Sequence, residues 1–258
     1  MSSVQYPTSF LKYGTGPVVW LAFHGIGQDA ACFAPFGERL TDSRTIYSIE
    51  LPFHGQNQNT DWPPAITNSD WEMLVARFLL ANGIARFSVA GFSMGGRFAL
   101  VTAQAFAARI DEVLLLAPDG ITNDPWFALA TGTQAGRWLL RLFLKNTRLF
   151  LALGRGLVQL GLLNASLLRF VQATMQTPAQ RTQIYHSWTA FRSVGVPIGT
   201  FARTMRQHDV RVRLFLGQFD AVLPRSYTKP LEKALPNCEV TVLPTGHTSL
   251  VRRVAAQF

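Results

Sequence analysis

The chain is poor in cysteine, in acidic side chains and in unbroken apolar stretches, and each shortage removes a class of protein. Two cysteines, Cys32 and Cys238, in 258 residues make neither a disulfide framework nor a metal cluster, and both are read as reduced thiols. Five histidines show no His-x-x-x-His or Cys-His spacing, so no metal site is expected. The longest apolar region, roughly 139–171, is broken by Arg141, Lys145, Arg148, Arg155 and Arg169. No charge-free window there spans a bilayer. Met1 to Pro7 lacks a basic region followed by an apolar run, so no secretory signal is read and a cytoplasmic location is expected. Only 15 Asp or Glu stand against 24 Lys or Arg, a net charge of +9. That excess suits nucleic acid, an anionic membrane surface or an anionic ligand. Its placement is uneven: residues 121–210 hold ten Lys or Arg against Asp124 and Asp209, and so carry +8 of the total.

What is present is core material. Hydrophobic residues make up 48% and charged residues 15%, which excludes a disordered chain and suits either one large α/β domain with an insertion or two small domains. Val18 to Phe23 is a continuous apolar run, as expected of a strand covered on both faces, and it ends in His24-Gly25-Ile26-Gly27. Helical spacing over Ala30 to Leu40 leads to a short strand, Thr45 to Ile49, and then to Leu51-Pro52-Phe53-His54-Gly55. The stretch from Gln56 to Thr67 reads as a loop. Ser69-Asp70-Trp71-Glu72 has capping-box spacing and predicts a helix that stops at Asn82-Gly83. Phe87 to Ala90 is a strand, Met94 to Ala108 a helix, and Val113 to Ala117 a strand ending at Pro118-Asp119-Gly120. Alternation of this kind predicts a mainly parallel sheet with helices on both sides. It lapses over 121–209, where Leu- and Phe-rich helical spacing carries the basic residues. It returns with strands at Val212 to Gly217 and Val240 to Leu243 and a helix between them from Arg225 to Ala234. With no internal repeat, the chain reads as a core of 1–120 and 210–258 with a helical insertion of 121–209 in one folding unit.

Three residues at strand ends carry the chemistry. Gly91-Phe92-Ser93-Met94-Gly95 places a Ser between glycines that permit a tight strand-to-helix turn, and the helix opening at Met94 aims free backbone N–H groups beside that Ser. A Ser hydroxyl needs a base to take its proton and a third group to hold the base's tautomer. Asp220 follows the strand ending near Gly217, and His247 follows the one ending near Leu243. Such groups gather beyond the carboxyl ends of parallel strands. The chain order of the three is Ser, Asp, His, and that order resembles the one expected for an α/β-hydrolase.

On these residues the chain resembles the α/β-hydrolase superfamily with a helical cap (lid). The motifs that carry the likeness are His24-Gly25-Ile26-Gly27, Leu51-Pro52-Phe53-His54-Gly55, Gly91-Phe92-Ser93-Met94-Gly95, Gly217-Gln218-Phe219-Asp220 and Gly246-His247. The likeness implies a mainly parallel, doubly wound sheet. It implies Ser93 as nucleophile, His247 as general base, Asp220 as its orienter, and the backbone N–H groups of Ile26 and Met94 as oxyanion hole. Asp119 is the alternative acid, since some relatives carry it at the preceding strand. Asp220 is preferred because Gly217-Gln218-Phe219-Asp220 also matches the family pattern. Where relatives often read Asp-x-Pro-Gly-His-Gly, this chain reads Glu50-Leu51-Pro52-Phe53-His54-Gly55, followed by the polar tail Gln56 to Asn59. His24 and His54 read as loop-packing residues, and His186 and His208 as surface residues of the insertion.

The expected activity is a serine hydrolase cleaving an ester or thioester with an apolar acyl group, without a cofactor. The alternatives are carbon–carbon bond hydrolysis or elimination on the same triad, or a ligand-binding protein that has discarded catalysis. The basic insertion reads equally as an ordinary amphipathic lid or as an apolar tunnel with a basic rim for an anionic amphiphile. It could also rest on anionic lipid. No nucleic-acid module accompanies the charge, and no partner protein is implied.

Overall fold

The computed structural model describes residues 9–58, 62–122 and 125–258. Met1 to Pro7, Asn59 and Asp124, used in the reading above, lie outside them. In chain order the core begins with β1 (Phe10–Tyr13), β2 (Val18–Phe23), α1 (Ala34–Leu40), β3 (Arg44–Ile49), α2 (Asn68–Ala81), β4 (Phe87–Phe92), α3 (Met94–Ala105) and β5 (Ile110–Leu116). Five helices follow: α4 (Pro125–Gly132), α5 (Gln134–Lys145), α6 (Thr147–Gln159), α7 (Ala165–Thr174) and α8 (Pro178–Ala190). The chain closes with α9 (Ile198–Gln207), β6 (Arg211–Gly217), α10 (Lys229–Ala234), β7 (Glu239–Leu243) and α11 (Leu250–Ala255). The seven strands form one sheet in the order β1-β3-β2-β4-β5-β6-β7. Only β1 runs antiparallel, against β3. This is the α/β-hydrolase architecture, with α4–α8 inserted between β5 and β6.

The apolar runs become central strands because both faces are covered. On one side Leu21, Phe23 and Val89 pack with Trp71, Phe78 and Phe98 of α2 and α3. On the other, Trp20, Ala90 and Leu114 meet Phe33, Phe36 and Val254 beside α1 and α11. Helix α9 packs on α3 and α10 and buries Phe201, Ala202 and Met205 in the first of these clusters. The inserted helices have a small cluster of their own, Leu140 and Leu144 of α5 against Ile184 of α8, with Ile26 at its margin.

Local chemistry shifts three expected boundaries. The capping box of α2 is Thr67 with Asp70, not Ser69 with Glu72. Thr67 is extended, its hydroxyl accepts from Asp70 N–H at 3.2 Å, and Asp70 accepts from Thr67 N–H at 2.9 Å. The helix therefore starts at Asn68, with Ser69 already inside it. The expected helices at Ala30 and Arg225 each open as a short 3-10 turn and restart as α1 and α10, with Pro35 and Pro230 in the restarting first turn. A proline there has no N–H to continue the preceding turn but suits a new first turn. The unexpected strand is β1, a four-residue edge whose side chains are mostly exposed.

Candidate active site

Ser93 lies between the end of β4 and the first residue of α3 at φ 52° and ψ −122°. A non-glycine residue holds so strained a backbone only when its surroundings over-determine it. Here Ser93 N–H donates to Leu116 O at 3.0 Å, and Ser93 O accepts from Gly96 N–H and Asp119 N–H, each at 2.8 Å. The turn closes because the next residues have no side chain to obstruct it. A Cβ on Gly95 would overlap the carbonyl of Phe23 in β2, and one on Gly96 would overlap Pro118. Both glycines are thus required for α3 to seat against the sheet.

The three strand-end residues come together. His247 Nε2 is 2.9 Å from Ser93 Oγ, and His247 Nδ1 is 2.6 Å from Asp220 Oδ2. All three are buried. A carboxylate oxygen can only accept, so Nδ1 carries the proton and Nε2 is left to accept from the Ser93 hydroxyl. Asp220 is itself fixed, with Oδ1 accepting from Val222 and Leu223 N–H at 2.9 Å each. Phe92 lies against the His247 ring at 4.9 Å between centroids, and Phe170 of α7 meets it edge-on at 5.5 Å. The Asp119 carboxylate is engaged by Arg97 instead, which donates two hydrogen bonds to its Oδ2, at 2.9 and 3.1 Å.

The loop after β2 is held by side chains distant in sequence. Gly25 N–H donates to Gln28 Oε1 at 3.0 Å, and Gly27 N–H donates to His54 Nε2 at 3.2 Å. His24 Nε2 accepts from Leu51 N–H at 3.1 Å, tying the loop to the end of β3. In both rings Nδ1–H faces a backbone carbonyl at 2.8 Å, Gly25 O for His24 and Pro52 O for His54. Both histidines are fully buried. Burial pushes His24 down to about 4. It pushes His54 to about 3, with a further contribution from the neighbouring His24. Both rings are neutral connectors at ordinary pH. Phe53, which stands where relatives often have Gly, adopts φ 67° and stacks its ring on His186 of α8 at 5.6 Å. Its carbonyl accepts from Gln183 Nε2 at 3.0 Å. Phe53 therefore fastens this loop to the inserted helices. His208 is an exposed residue at the end of α9.

Two hollows meet at Ser93. A cleft of about 560 Å³ is bordered by Ile26, Ser93 and His247 below and by Ser166, Arg169 and Phe170 of α7 above. A pocket of about 200 Å³ on the other side is bordered by Ile26, Met94, Phe127, Trp188, Phe191 and Leu223. Ile26 and Met94 thus both flank Ser93. The sequence carries no sign that α7, rather than another inserted helix, roofs the site, because helical spacing does not encode which helix faces the sheet. Nor does it reveal the Gln28 and His54 supports. A third hollow, of about 760 Å³, lies between Phe53, Trp62 and α5 and α8 and contains none of the triad residues.

A family profile described as the alpha/beta hydrolase fold matches residues 21–253. The chain belongs to that family. Among curated proteins it is similar to an uncharacterized protein of Mycobacterium tuberculosis, 27% identical over 121 residues, covering 46% of this chain and 34% of that one. It is also similar to the pimeloyl-[acyl-carrier protein] methyl ester esterase of Xylella fastidiosa, 30% identical over 145 residues, covering 54% and 53%. The matched stretch thus spans about a third to a half of these relatives. Among solved structures, a thermophilic esterase from Thermogutta terrifontis superposes with a TM-score of 0.70 at 17% identity, covering 97% of this chain and 90% of that one. At that identity the likeness concerns the fold. Among the described residues no helix is long and apolar enough to cross a membrane.

Proposed function

We propose that this α/β hydrolase is a serine carboxylic ester hydrolase acting on esters with a substantial apolar acyl group. The observation that carries the reading is the continuous hydrogen-bonded series from Asp220 through His247 to Ser93 Oγ. In this mechanism His247 Nε2 takes the hydroxyl proton as Ser93 Oγ attacks the ester carbonyl, forming the C–O bond of a tetrahedral adduct. Asp220 stabilises the imidazolium and holds its orientation. The backbone N–H groups of Ile26 and Met94 receive the negative oxygen, Met94 from the opening turn of α3. The adduct collapses as His247 returns the proton to the leaving alcohol, leaving an acyl group on Ser93. Water then attacks, activated by the same His247, and releases the acid.

Phe127, Trp188, Phe191 and Leu223 on the wall of the smaller pocket, which they share with the paired Arg97 and Asp119, support an apolar acyl group, and Arg169 at the cleft supports an anionic substituent at the other end of the substrate. The named ester substrate of the Xylella fastidiosa relative is consistent with this class. A panel of p-nitrophenyl esters of increasing chain length tests the reading. The expected result is a kcat/KM that rises beyond the acetyl ester, with a Ser93→Ala loss in kcat of about 10⁴-fold or more. Full esterase activity in Ser93→Ala contradicts it, and activity confined to the acetyl ester removes the apolar acyl group while leaving the triad.

A further inference from the structure

Large apolar side chains are concentrated on the outside of the inserted helices. Helix α5 buries Leu140 and Leu144 toward α8 but turns Trp138, Leu139, Leu142 and Phe143 to solvent, with Trp138 66% exposed. These four form two adjacent i, i+4 rows on one side of the helix. At Asn146 the chain turns from α5 into α6, and Phe143 touches Phe150 across that bend with ring centroids 5.8 Å apart. Leu153, Leu157 and Leu160 are exposed along one stripe of α6 and its end, and Leu162 follows in the next turn. Leu160 and Leu162 are 73% and 72% exposed. Nine of the sixteen exposed large hydrophobic side chains among the described residues lie in 129–162. A patch of this kind on a water-facing surface marks an interaction site.

The charge around the patch identifies what covers it. From Pro125 to His208 the sequence contains no Asp or Glu but ten Lys or Arg. No ion pair is formed by any of these ten among the described residues. Arg148 and Arg155, two turns apart on α6, are both exposed on the face opposite the leucine stripe, the polar face of an interfacial helix. A second copy of the chain would set one strongly basic surface against another, which charge repulsion opposes. An anionic bilayer matches both features, since its headgroups attract the arginines while Trp and Leu enter the acyl boundary. We propose that the exposed apolar faces of α5 and α6 are a docking surface for an anionic lipid bilayer, lying in the interface plane. Helix α7 follows directly and contributes Ser166, Arg169 and Phe170 to the cleft, so docking brings the cleft toward the lipid. The inference stands apart from the chemistry at Ser93.

The test is co-sedimentation of the full chain with vesicles of phosphatidylcholine alone or mixed with phosphatidylglycerol. Binding is expected only to the mixed vesicles, weakening with salt. Each removed charge lowers affinity about fivefold, so R148Q/R155Q loses about 25-fold. Leu153→Ser with Leu160→Ser loses at least about tenfold. A vesicle-induced blue shift in tryptophan emission is expected, and Trp138→Leu should diminish it while keeping most of the binding. Hydrolysis of a short soluble ester and the thermal midpoint, read for every variant, report that each is folded. No binding to the mixed vesicles by the parent overturns the proposal. So does a dimer dissociated by the leucine substitutions in a protein that ignores vesicles. Equal binding to a soluble polyanion, with the leucine and Trp138 variants unaffected, marks a charge-only surface for an acidic protein and overturns it too.

Discussion

Asp220 and Asp119 both follow core strands, and the side chains they meet divide their roles. Asp220 receives the His247 Nδ1 proton at 2.6 Å, whereas Asp119 is occupied by Arg97 at 2.9 Å. Asp220→Asn offers Nδ1 an amide that can also donate, so the His247 tautomer is no longer held. Its kcat should fall by about 10⁴-fold. Asp119→Asn should instead cost stability, about 1.5–3 kcal/mol for the charged hydrogen bonds lost, with kcat in the parent range. Parallel kinetics and urea melts distinguish the two, and a larger kcat loss in Asp119→Asn would reverse the assignment. His54 acts through Gly27 N–H as a positioning residue. His54→Leu leaves that donor without its acceptor and loosens the loop bearing Ile26, so kcat should fall at least about tenfold with KM little changed. A change in KM alone would argue against a role at the oxyanion. The three positions of the proposed triad are legible because each follows an apolar run that ends in or near glycine. The His54–Gly27 bond is not, since it joins residues 27 apart in sequence through a contact that no local pattern announces.

At the level of elements, the strand-to-helix turn depends on what is missing from its glycines. Gly95→Ala puts a methyl group into the carbonyl of Phe23, and neither β2 nor α3 can yield without disturbing the sheet. The expected cost is about 3 kcal/mol or more, read as a lower denaturation midpoint. An unchanged midpoint would show that α3 can shift freely. Most elements could be read from the sequence because parallel strands buried on both faces appear as plain apolar runs. Strand β1 is not legible for the opposite reason: Phe10-Leu11-Lys12-Tyr13 is a short, largely exposed edge without a buried run or clean alternation. The inserted helices were legible as helices, but their arrangement was not. That α7 roofs Ser93 follows from the Phe170–His247 contact, and the seating of α5 on α8 follows from packing among Leu140, Leu144 and Ile184, contacts that pair residues far apart in the chain.

For the whole molecule, two buried neutral histidines link folding to pH. His24 and His54 titrate near 4 and 3 in the fold, against about 6.5 in an unfolded chain. Their contribution is present above pH 6.5 and is lost as pH falls toward the folded values, because only the unfolded state takes up the protons. The slope reaches up to about 2.7 kcal/mol per pH unit for two rings. Glu50, 3.7 Å from His24, is raised by burial and opposes this slope, but a single group offsets at most half of it. Denaturation midpoints should therefore fall steeply between pH 6.5 and 4, and His54→Gln should flatten the curve. A flat profile in the parent would show that the rings are not held neutral. The uneven charge was legible in composition alone, while the exposed leucines beside it required the fold. The central claim is that Ser93 is the nucleophile, and mass spectrometry after treatment with a fluorophosphonate tests it most directly. The account predicts one adduct per chain, located on the peptide containing Ser93 and absent from Ser93→Ala. An adduct on another residue, or none in a protein that still hydrolyses esters, would contradict it.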